Sequence, residues 1–429
     1  MMDWYKEADA KTRRVLWTCG AGWALDMADG LVFQYLIPLL VLGLGMTLKD
    51  AGTIASANYF AAAIGGWVGG WLCDRYGRAR ILQFTILWFS VFSFASGFAQ
   101  DYNQLLVIRI LQGLGFGAEW AVGATLLGEM IAPKNRGKAL GFVQSGGPIG
   151  SGLAALLAGP VAALLPLALG WRVAFWFGIL PALLVFFIRK GSDDAAIFQA
   201  ASQRAAQSGR RPTMAGIFSP KLIRITLLAG LLSLGAQGGA YAIGNYTTAF
   251  LTLERGLTPA VAGICVLLLS LGGFFGVITN AYLGDRIGRR GSFRVFAGGF
   301  ILTASFYLFA PLGGSLWSLV PAGMVYGFFQ FGIYASFGPY FTELFPTELR
   351  GTGQAFSYNF GRATAALFIF GVGALSAHIL LSAAMALFAI LGMAIAVLAT
   401  FLLPETAGRE LISLNDIDND IDPAVPLDK

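Results

Sequence analysis

A short charged phrase, DRYGRAR at 74–80, returns as DRIGRR at 285–290, once in each half of the 429-residue chain. Each copy ends one long apolar stretch and is followed by another. A charged turn that contains glycine and recurs at matching places in two apolar halves is typical of an internally duplicated membrane protein. The sequence therefore predicts two related halves, each built from membrane-spanning segments.

Composition leads to the same fold class. The chain is 56% hydrophobic and 12% charged, with a mean hydropathy of +0.69, outside the range of water-soluble domains. A spanning helix needs about 20 apolar residues, and lipid excludes open sheets. We expect an all-α membrane protein with twelve transmembrane helices in two pseudo-symmetric six-helix bundles around a central cavity. The predicted helices 1–12 lie near 15–44, 51–72, 81–99, 104–130, 138–165, 172–188, 222–253, 259–283, 293–311, 315–344, 352–380 and 381–403.

Polar segments divide the chain into five predicted parts. These are a cytoplasmic N-terminus (1–14), an N-terminal six-helix bundle (15–188), a cytoplasmic linker (189–221), a C-terminal six-helix bundle (222–403) and a cytoplasmic tail (404–429). The linker is the long polar interruption between the halves, and we expect it to be partly helical. The Asp-rich end of the tail has the composition of a disordered segment.

The positions of the basic residues predict the orientation. Every Lys and Arg lies on the side of the termini and the even-numbered loops, except Lys49, Arg172 and Arg255 in other loops and Arg109 and Arg362 inside predicted helices. The positive-inside rule then places both termini in the cytoplasm. The net charge of +6 is this topological signal and requires no nucleic-acid partner. We expect a multi-pass monomer in a bacterial inner membrane, in contact with lipid.

Predicted helix 1, GWALDMADGLVFQYLIPLL at 22–40, carries two acids. At about 1.5 Å per residue from Val15, Asp26 lies about 16 Å deep, near the midplane, and Asp29 shares its face. Ionisable residues at this depth are costly and usually functional. Two neighbouring carboxylates repel each other, which favours a proton on one of them. The alternative is that both are bound permanently by neighbouring helices or by an Arg.

Predicted helix 4 supplies a counter-charge and a third acid. Arg109 opens the sequence RILQGLG at 109–115, and Glu119 follows deep in the same span. We expect Arg109 to hold Asp26 or Asp29 ionised until substrate or a conformational change weakens the contact. Glu119 is a candidate for a second proton site or for an acid that faces the substrate. Purely structural roles, with Arg109 on backbone carbonyls or Glu119 in a fixed bridge, remain the alternatives.

Several motifs resemble one transporter family. The repeated DRxGR turns resemble the loop 2–3 and loop 8–9 signature of the major facilitator superfamily, and RILQGLG resembles its RxxxGxG signature, which is associated with coupling in proton-driven members. GAEWAVGATLLGEMIAPKNRGKALG at 117–141 and QAFSYNFGRATAALF at 354–368 resemble the sialate, lactate/pyruvate and aromatic-acid branches of its carboxylate:proton symporters. The acidic pair of helix 1 is similar to that of the aromatic-acid branch, in a different order. The resemblance implies this fold, proton coupling and a carboxylate substrate.

Arg362 in predicted helix 11 is the candidate substrate anchor. Arg362 lies ten residues after Thr352, where the predicted helix begins, and this distance places it about 15 Å deep. Tyr358 and Asn359 precede it by one helical turn. A guanidinium fork binds a carboxylate with two parallel hydrogen bonds and keeps its charge. Helix 11 contains no acid, so the partner is either an acid on another helix or the carboxylate of a substrate. We favour the substrate.

Two further helices offer polar side chains for a cavity wall. Predicted helix 7 carries Gln237, Tyr241 and Asn245 in a Gly-rich stretch, and predicted helix 10 carries Gln330 and Tyr334. Aromatic residues at helical spacing are more often packing residues than ligand contacts, so each of these is a weaker candidate than Arg362.

The repeated turns predict a gate. Asp74 and Asp285 can accept hydrogen bonds from arginines and from a neighbouring helix N-terminus, which would hold the halves together on the cytoplasmic side. Glu129 and Glu343 each precede a Pro and an Arg-Gly pair, and we expect them to join the same charge network. The predicted gating residues are Asp74, Arg75, Arg78, Asp285, Arg286, Arg289, Glu129 and Glu343.

The sequence therefore favours a secondary transporter that takes up a small organic acid together with protons by alternating access. A proton-coupled efflux antiporter is the alternative, because Gly146-Gly147-Pro148-Ile149-Gly150 resembles a Gly-Pro antiporter motif. A non-transporting membrane sensor is a third possibility. The sequence shows no nucleotide-binding loop, metal-ligand cluster or nucleophile–base pattern, so we expect no enzyme activity, no cofactor and no metal site.

Overall fold

The computed structural model describes residues 5, 9–46, 48–131, 133–158, 162, 164–183, 214–313, 315–376 and 378–413. Most of the predicted linker 189–221, most of the predicted N-terminal segment 1–14 before residue 9 and the end of the tail 404–429 lie outside these residues. Within them, the helical segments form twelve successive spans, six in each half.

The spans of the N-terminal half are α1 (Ala10–Leu44), α2 (Leu48–Tyr76), α3 (Arg78–Ser96), α4 (Tyr102–Met130), α5 (Arg136–Gln144 and Gly146–Leu156) and α6 (Leu167–Trp176, continued by a 3₁₀ turn at Phe177–Ile179). Those of the C-terminal half are α7 (Ile223–Gly244 and Thr247–Leu253), α8 (Pro259–Arg286), α9 (Gly288–Phe309), α10 (Leu316–Gly332, Ile333–Ser336 and Phe337–Leu344), α11 (Arg350–Leu375) and α12 (Leu381–Leu402). Short 3₁₀ helices at Pro133–Asn135 and Met214–Phe218 precede α5 and α7.

Local sequence explains where several helices begin and end. Asp9 and Asp101 cap α1 and α4 by accepting hydrogen bonds from the amides of Thr12 and Gln104. The glycines of the two repeated turns, Gly77 and Gly288, have φ angles of 101° and 85°. Side chains other than glycine rarely adopt this region, which explains why glycine recurs in both motifs. We call the end of the bundle that carries these two turns the motif end.

Equivalent helix pairs pack in the same way in both halves. A methyl group at Gly117 of α4 would lie 1.6 Å from the carbonyl oxygen of Ala62 of α2. In the other half, one at Gly276 of α8 would lie 1.8 Å from the carbonyl oxygen of Phe328 of α10. Lipid supplies no hydrophobic force between helices, so close backbone packing of this kind stabilises the bundle.

The two bundles meet along two seams. At the first, α11 lies against α2 and α4, where Trp67 Nε1 donates to the carbonyl oxygen of Phe356 at 3.4 Å. At the second, α5 lies against α8, where the hydroxyls of Ser151 and Ser270 are 2.9 Å apart. Between the seams lies a central cavity. The breaks in α5, α7 and α10 occur beside it, since Gln144, Asn245 and Tyr334 line its wall.

The outer surface of the bundle is apolar. Trp317 is 93% exposed and Phe370 and Leu302 are each 74% exposed. By length and composition, five helices among the described residues could cross a membrane. Exposed apolar area of this extent is stable only against lipid or a partner surface.

Candidate functional site

The central cavity encloses about 120 Å³ and is lined by residues of both halves. Most of the predicted substrate residues contribute to its wall. Those that do are Arg362, Tyr358, Tyr241, Asn245, Gln330 and Tyr334. Arg109, which the sequence predicts to take part in proton coupling, also lines the cavity.

Arg362 is buried in this wall, with 1% of its surface exposed. Its guanidinium packs over the rings of Phe116 and Tyr358, at 4.8 and 5.2 Å from their centroids, and Nη1 donates to Asn359 Oδ1 at 3.3 Å. Its Nε has no hydrogen-bond acceptor among the described residues. Asp26 of α1 interacts with it electrostatically across the bundle interface. The site therefore holds a cation with one free donor and an acid from the other half nearby.

Four tyrosines line the cavity that this guanidinium borders. Tyr59, Tyr241 and Tyr358 lie near the guanidinium, and Tyr334 lies near these three residues. The rings of Tyr59 and Tyr241 meet across the two halves, with centroids 5.9 Å apart. Gln34 Nε2 donates to the Tyr59 hydroxyl at 2.6 Å. The cluster surrounds a positive charge with aromatic faces and hydroxyl groups, which suits a small anion with an apolar body.

Asp29 belongs to a separate network inside the N-terminal half. It accepts hydrogen bonds from Ser93 and from Gln112 Nε2, the latter at 2.6 Å, and its Oδ2 lies 4.0 Å from Arg109 Nη1. Asn58 Nδ2 donates to Gln112 Oε1 at 2.6 Å. Because this bond fixes the orientation of the Gln112 amide, its nitrogen faces Asp29 and the carboxylate acts as acceptor.

Arg109 packs over two rings, with Phe33 at 4.9 Å and Phe175 at 5.8 Å. Among the described residues, its Nε and Nη1 have no hydrogen-bond acceptor. The predicted contact between Arg109 and the acids of helix 1 therefore occurs with Asp29. Asp26 lies close enough to Arg362 to influence it electrostatically. The side chain of Glu119 lies outside the described residues.

Two predicted substrate residues lie behind the cavity wall. Asn359 Nδ2 donates to the carbonyl oxygen of Gly117 at 3.1 Å, so it joins α11 to α4 while its Oδ1 holds Arg362. Gln237 Nε2 donates to Ser233 Oγ and to the carbonyl oxygen of Tyr358, both at 2.7 Å. In this conformation both side chains hold the helices that carry the cavity residues.

Sequence reasoning missed four polar residues of the site: Gln34, Asn58, Tyr59 and Ser93. Gln34 stands in the apolar run that follows Asp29 in predicted helix 1, and a lone polar residue there was the available signal. Asn58 and Tyr59 are adjacent polar residues in the middle of an apolar stretch, and this was the available signal. Ser93 lies in a stretch with several other serines, and nothing in the sequence distinguishes it.

Comparison with known proteins decides the family. The family described as Major Facilitator Superfamily matches residues 18–369 and 251–414. The chain belongs to the major facilitator superfamily. The predicted resemblance and fold class are thereby confirmed, and the protein is a transporter and a multi-pass membrane protein, not an enzyme.

Two relatives and one solved structure show how close the similarity is. This superfamily member is 42% identical over 428 residues to a probable 4-methylmuconolactone transporter of Cupriavidus pinatubonensis, covering 100% of this chain and 98% of the relative. It is 32% identical over 361 residues to a cis,cis-muconate transport protein of Acinetobacter baylyi, covering 80% and 82% of the two chains. The proton:xylose symporter XylE bound to 6-bromo-6-deoxy-D-glucose shares the fold, with a TM-score of 0.77, 16% identity and coverage of 95% and 99%.

At the motif end of this superfamily transporter, Asp74 joins the two halves. Its carboxylate accepts hydrogen bonds from the amides of Gly351 and Thr352 at 3.2 and 2.6 Å, and from Thr352 Oγ1 at 2.6 Å. These groups form the first turn of α11, where the helix dipole favours a negative charge. The predicted contact between Asp74 and a helix N-terminus is therefore present in this conformation.

The second motif takes part in an ion-pair network. Arg289 donates to Asp285 Oδ1 at 2.8 Å and to the two oxygens of Glu343 at 2.9 and 3.0 Å. Glu343 also pairs with Arg136 of the other half at 3.3 Å. Glu405, in the first part of the tail, accepts from the Arg289 amide at the start of α9 at 2.7 Å. Arg136 and Glu405, which take part in this network, were not among the predicted gating residues.

Other predicted gating residues lie apart from these contacts. Arg75 is exposed and packs over the rings of Trp71 and Tyr76, and Arg286 is also exposed. The side chains of Arg78 and Glu129 lie outside the described residues. The contacts that join the halves are thus concentrated on Asp74 and on the Arg136–Glu343–Arg289 group.

We predict that Asp74→Asn opens the motif end more often. The substitution weakens charge-assisted hydrogen bonds that contribute about 1.5–3 kcal/mol, so labelling of the neighbouring buried Cys73 by a maleimide should accelerate about tenfold or more. Cys19 and Cys265 would be replaced by Ser so that only Cys73 reacts.

Asp101→Asn is the matched control, because Asp101 also caps a helix N-terminus but lies in the loop between α3 and α4. This control should label at the parental rate. Equal labelling rates for Asp74→Asn and the parent would show that Asp74 does not hold the halves together.

Proposed function

We propose that this transporter takes up a small organic acid together with protons by alternating access. The observation that carries the proposal is the buried Arg362 guanidinium in the cavity wall, whose Nε has no acceptor among the described residues. An Arg held in this way is costly unless it binds an anion. The relatives named for 4-methylmuconolactone and cis,cis-muconate transport support an organic acid as substrate.

Asp26 provides a physical link between proton and substrate. While ionised, it competes with a substrate carboxylate for Arg362, with which it already interacts. Protonation removes this competition and leaves the guanidinium free for the substrate. Binding of the acid and of a proton therefore favour each other, because each stabilises the state that the other requires.

Asp29 and Arg109, together with Asp26, form the proposed proton-coupling residues. Asp29 already accepts hydrogen bonds from Ser93 and Gln112 and lies beside Arg109, which favours a fixed counter-ion. We therefore assign the titrating role to Asp26 and the stabilising role to Asp29. Glu119 stays a sequence-based candidate for a further proton site.

The gate supports the alternating-access part of the proposal. Opening towards the motif end requires the separation of Asp74 from the first turn of α11 and of Arg136 from Glu343. Asn359 would then lose the carbonyl oxygen of Gly117, so the residue that holds Arg362 changes its surroundings when the seam opens. In the proposed orientation, with both termini cytoplasmic, this step releases substrate and proton into the cell.

The Gly-Pro segment of α5 gives no support for the efflux alternative. A methyl group at Gly150 would lie 2.2 Å from the carbonyl oxygen of Ala24. Its glycine is thus explained by close packing of α5 on α1, a requirement that applies to uptake and efflux equally. The direction of substrate movement under an imposed pH gradient distinguishes the two.

Asp26→Asn should abolish accumulation of substrate driven by a pH gradient, because the group that must bind and release the proton is missing. Counterflow exchange in the same proteoliposomes should persist, since it needs no net proton movement. Asp29→Asn should impair both assays, because Arg109 loses its counter-ion. Accumulation by Asp26→Asn at the wild-type level would exclude Asp26 as the coupling acid.

Arg362→Ala should weaken binding of the transported acid about 10- to 150-fold, since a charge-assisted contact contributes about 1.5–3 kcal/mol. Arg362→Lys keeps the charge but loses the planar fork, and its loss should be smaller. The neutral amide of the same acid should bind wild type weakly and respond little to either substitution. Equal losses for acid and amide, measured by calorimetry on purified protein, would assign Arg362 a structural role.

A further inference from the structure

A second buried guanidinium lines the same cavity. Arg109 is 2% exposed and comes from α4, whereas Arg362 is 1% exposed and comes from α11. Tyr59 lies near both guanidinium groups, and all three residues line the cavity, so the two cations border one space. The Nε and Nη1 of Arg109 have no hydrogen-bond acceptor among the described residues. A buried donor without an acceptor is costly, which points to a ligand atom at this position.

The surroundings of Arg109 select the kind of acceptor. Its charge is already balanced by Asp29, 4.0 Å from Nη1, and Asp29 is fixed by Ser93 and Gln112. A second carboxylate at Arg109 would place two anions against one guanidinium in a buried site. The cost of the extra charge would be high. A neutral oxygen acceptor avoids this cost and still satisfies the free donors.

An aromatic ring lies beside each of the two arginines that border the cavity. Phe33 packs under Arg109 and Phe116 packs under Arg362, and both rings line the cavity. The wall therefore fits a compact, flat or unsaturated body between two groups that contain oxygen.

We propose that Arg109 binds a neutral carbonyl oxygen at the end of the substrate opposite the carboxylate. The substrates are then acids that also carry a lactone, ester or ketone group. The carboxylate end of this assignment rests on the proposed role of Arg362; the carbonyl end rests on Arg109.

Three small acids with six carbons test the assignment on the purified full-length protein. They are a γ-lactone that bears an acetic acid side chain, its cyclic ether analogue without the carbonyl oxygen, and adipic acid. Wild type should bind the lactone acid about tenfold or more tightly than the ether acid, because hydrogen bonds to charged groups are the stronger class. Adipic acid should bind more weakly than the lactone acid at neutral pH.

The double variant Asp29→Asn/Arg109→Met removes the Arg109 donors without changing the net charge of the site. The affinity ratio of lactone acid to ether acid should fall to about one. Arg109→Lys, which keeps the charge but lacks the Nε and Nη1 donors, should also lower it. Arg172→Gln is the control: Arg172 bonds to the carbonyl oxygens of Gly97 and Ala99 outside the cavity, so the ratio should equal that of wild type.

The outcomes separate the two assignments. A ratio that is unchanged in both Arg109 variants, or adipic acid bound as tightly as the lactone acid by wild type, would overturn the carbonyl site. If Arg362→Ala leaves the affinity for all three acids unchanged, the proposed carboxylate anchor fails instead. A loss with Arg362→Ala together with an unchanged ratio in the Arg109 variants rejects only the carbonyl assignment.

Discussion

The positive charge of Arg362 in the centre of a lipid-embedded bundle is the constraint on which the rest of the site depends. A buried guanidinium needs an anion or many hydrogen bonds, and here it has two aromatic faces, the Asn359 amide and the electrostatic influence of Asp26. This arrangement balances the charge without filling every donor. In the proposed mechanism a substrate carboxylate replaces Asp26, and a proton on Asp26 makes that replacement favourable.

One helix connects this site to the proposed gate at the motif end. The first turn of α11 binds Asp74, its middle carries Asn359 against the carbonyl oxygen of Gly117, and Arg362 follows three residues later. Separation of the halves at the motif end thus acts on the residue that holds the guanidinium. In a rigid helix, the contacts at its start and in its middle change together, which gives binding and gating a common structural element.

The fold could be predicted from sequence because its signals are local. The repeated DRxGR turns, the apolar lengths and Arg362 in an apolar stretch each follow from a few neighbouring residues. The partners within the site could not be predicted in the same way. Asp26 and Asp29 are three residues apart, about 60° around the helix, and which arginine each of them meets depends on the helices that pack around α1. Tyr59, Asn359 and Gln237 likewise depend on which helix lies opposite, and that is a property of the tertiary packing.

The number of protons bound with the substrate tests the central claim most directly. Calorimetry of the lactone acid in buffers of different ionisation enthalpy gives this number for the purified protein. At a pH where Asp26 is ionised in the empty site, wild type should take up about one proton per bound acid, and Asp26→Asn should take up none. Binding by wild type without proton uptake across the pH range in which it transports would contradict competition between Asp26 and the substrate for Arg362.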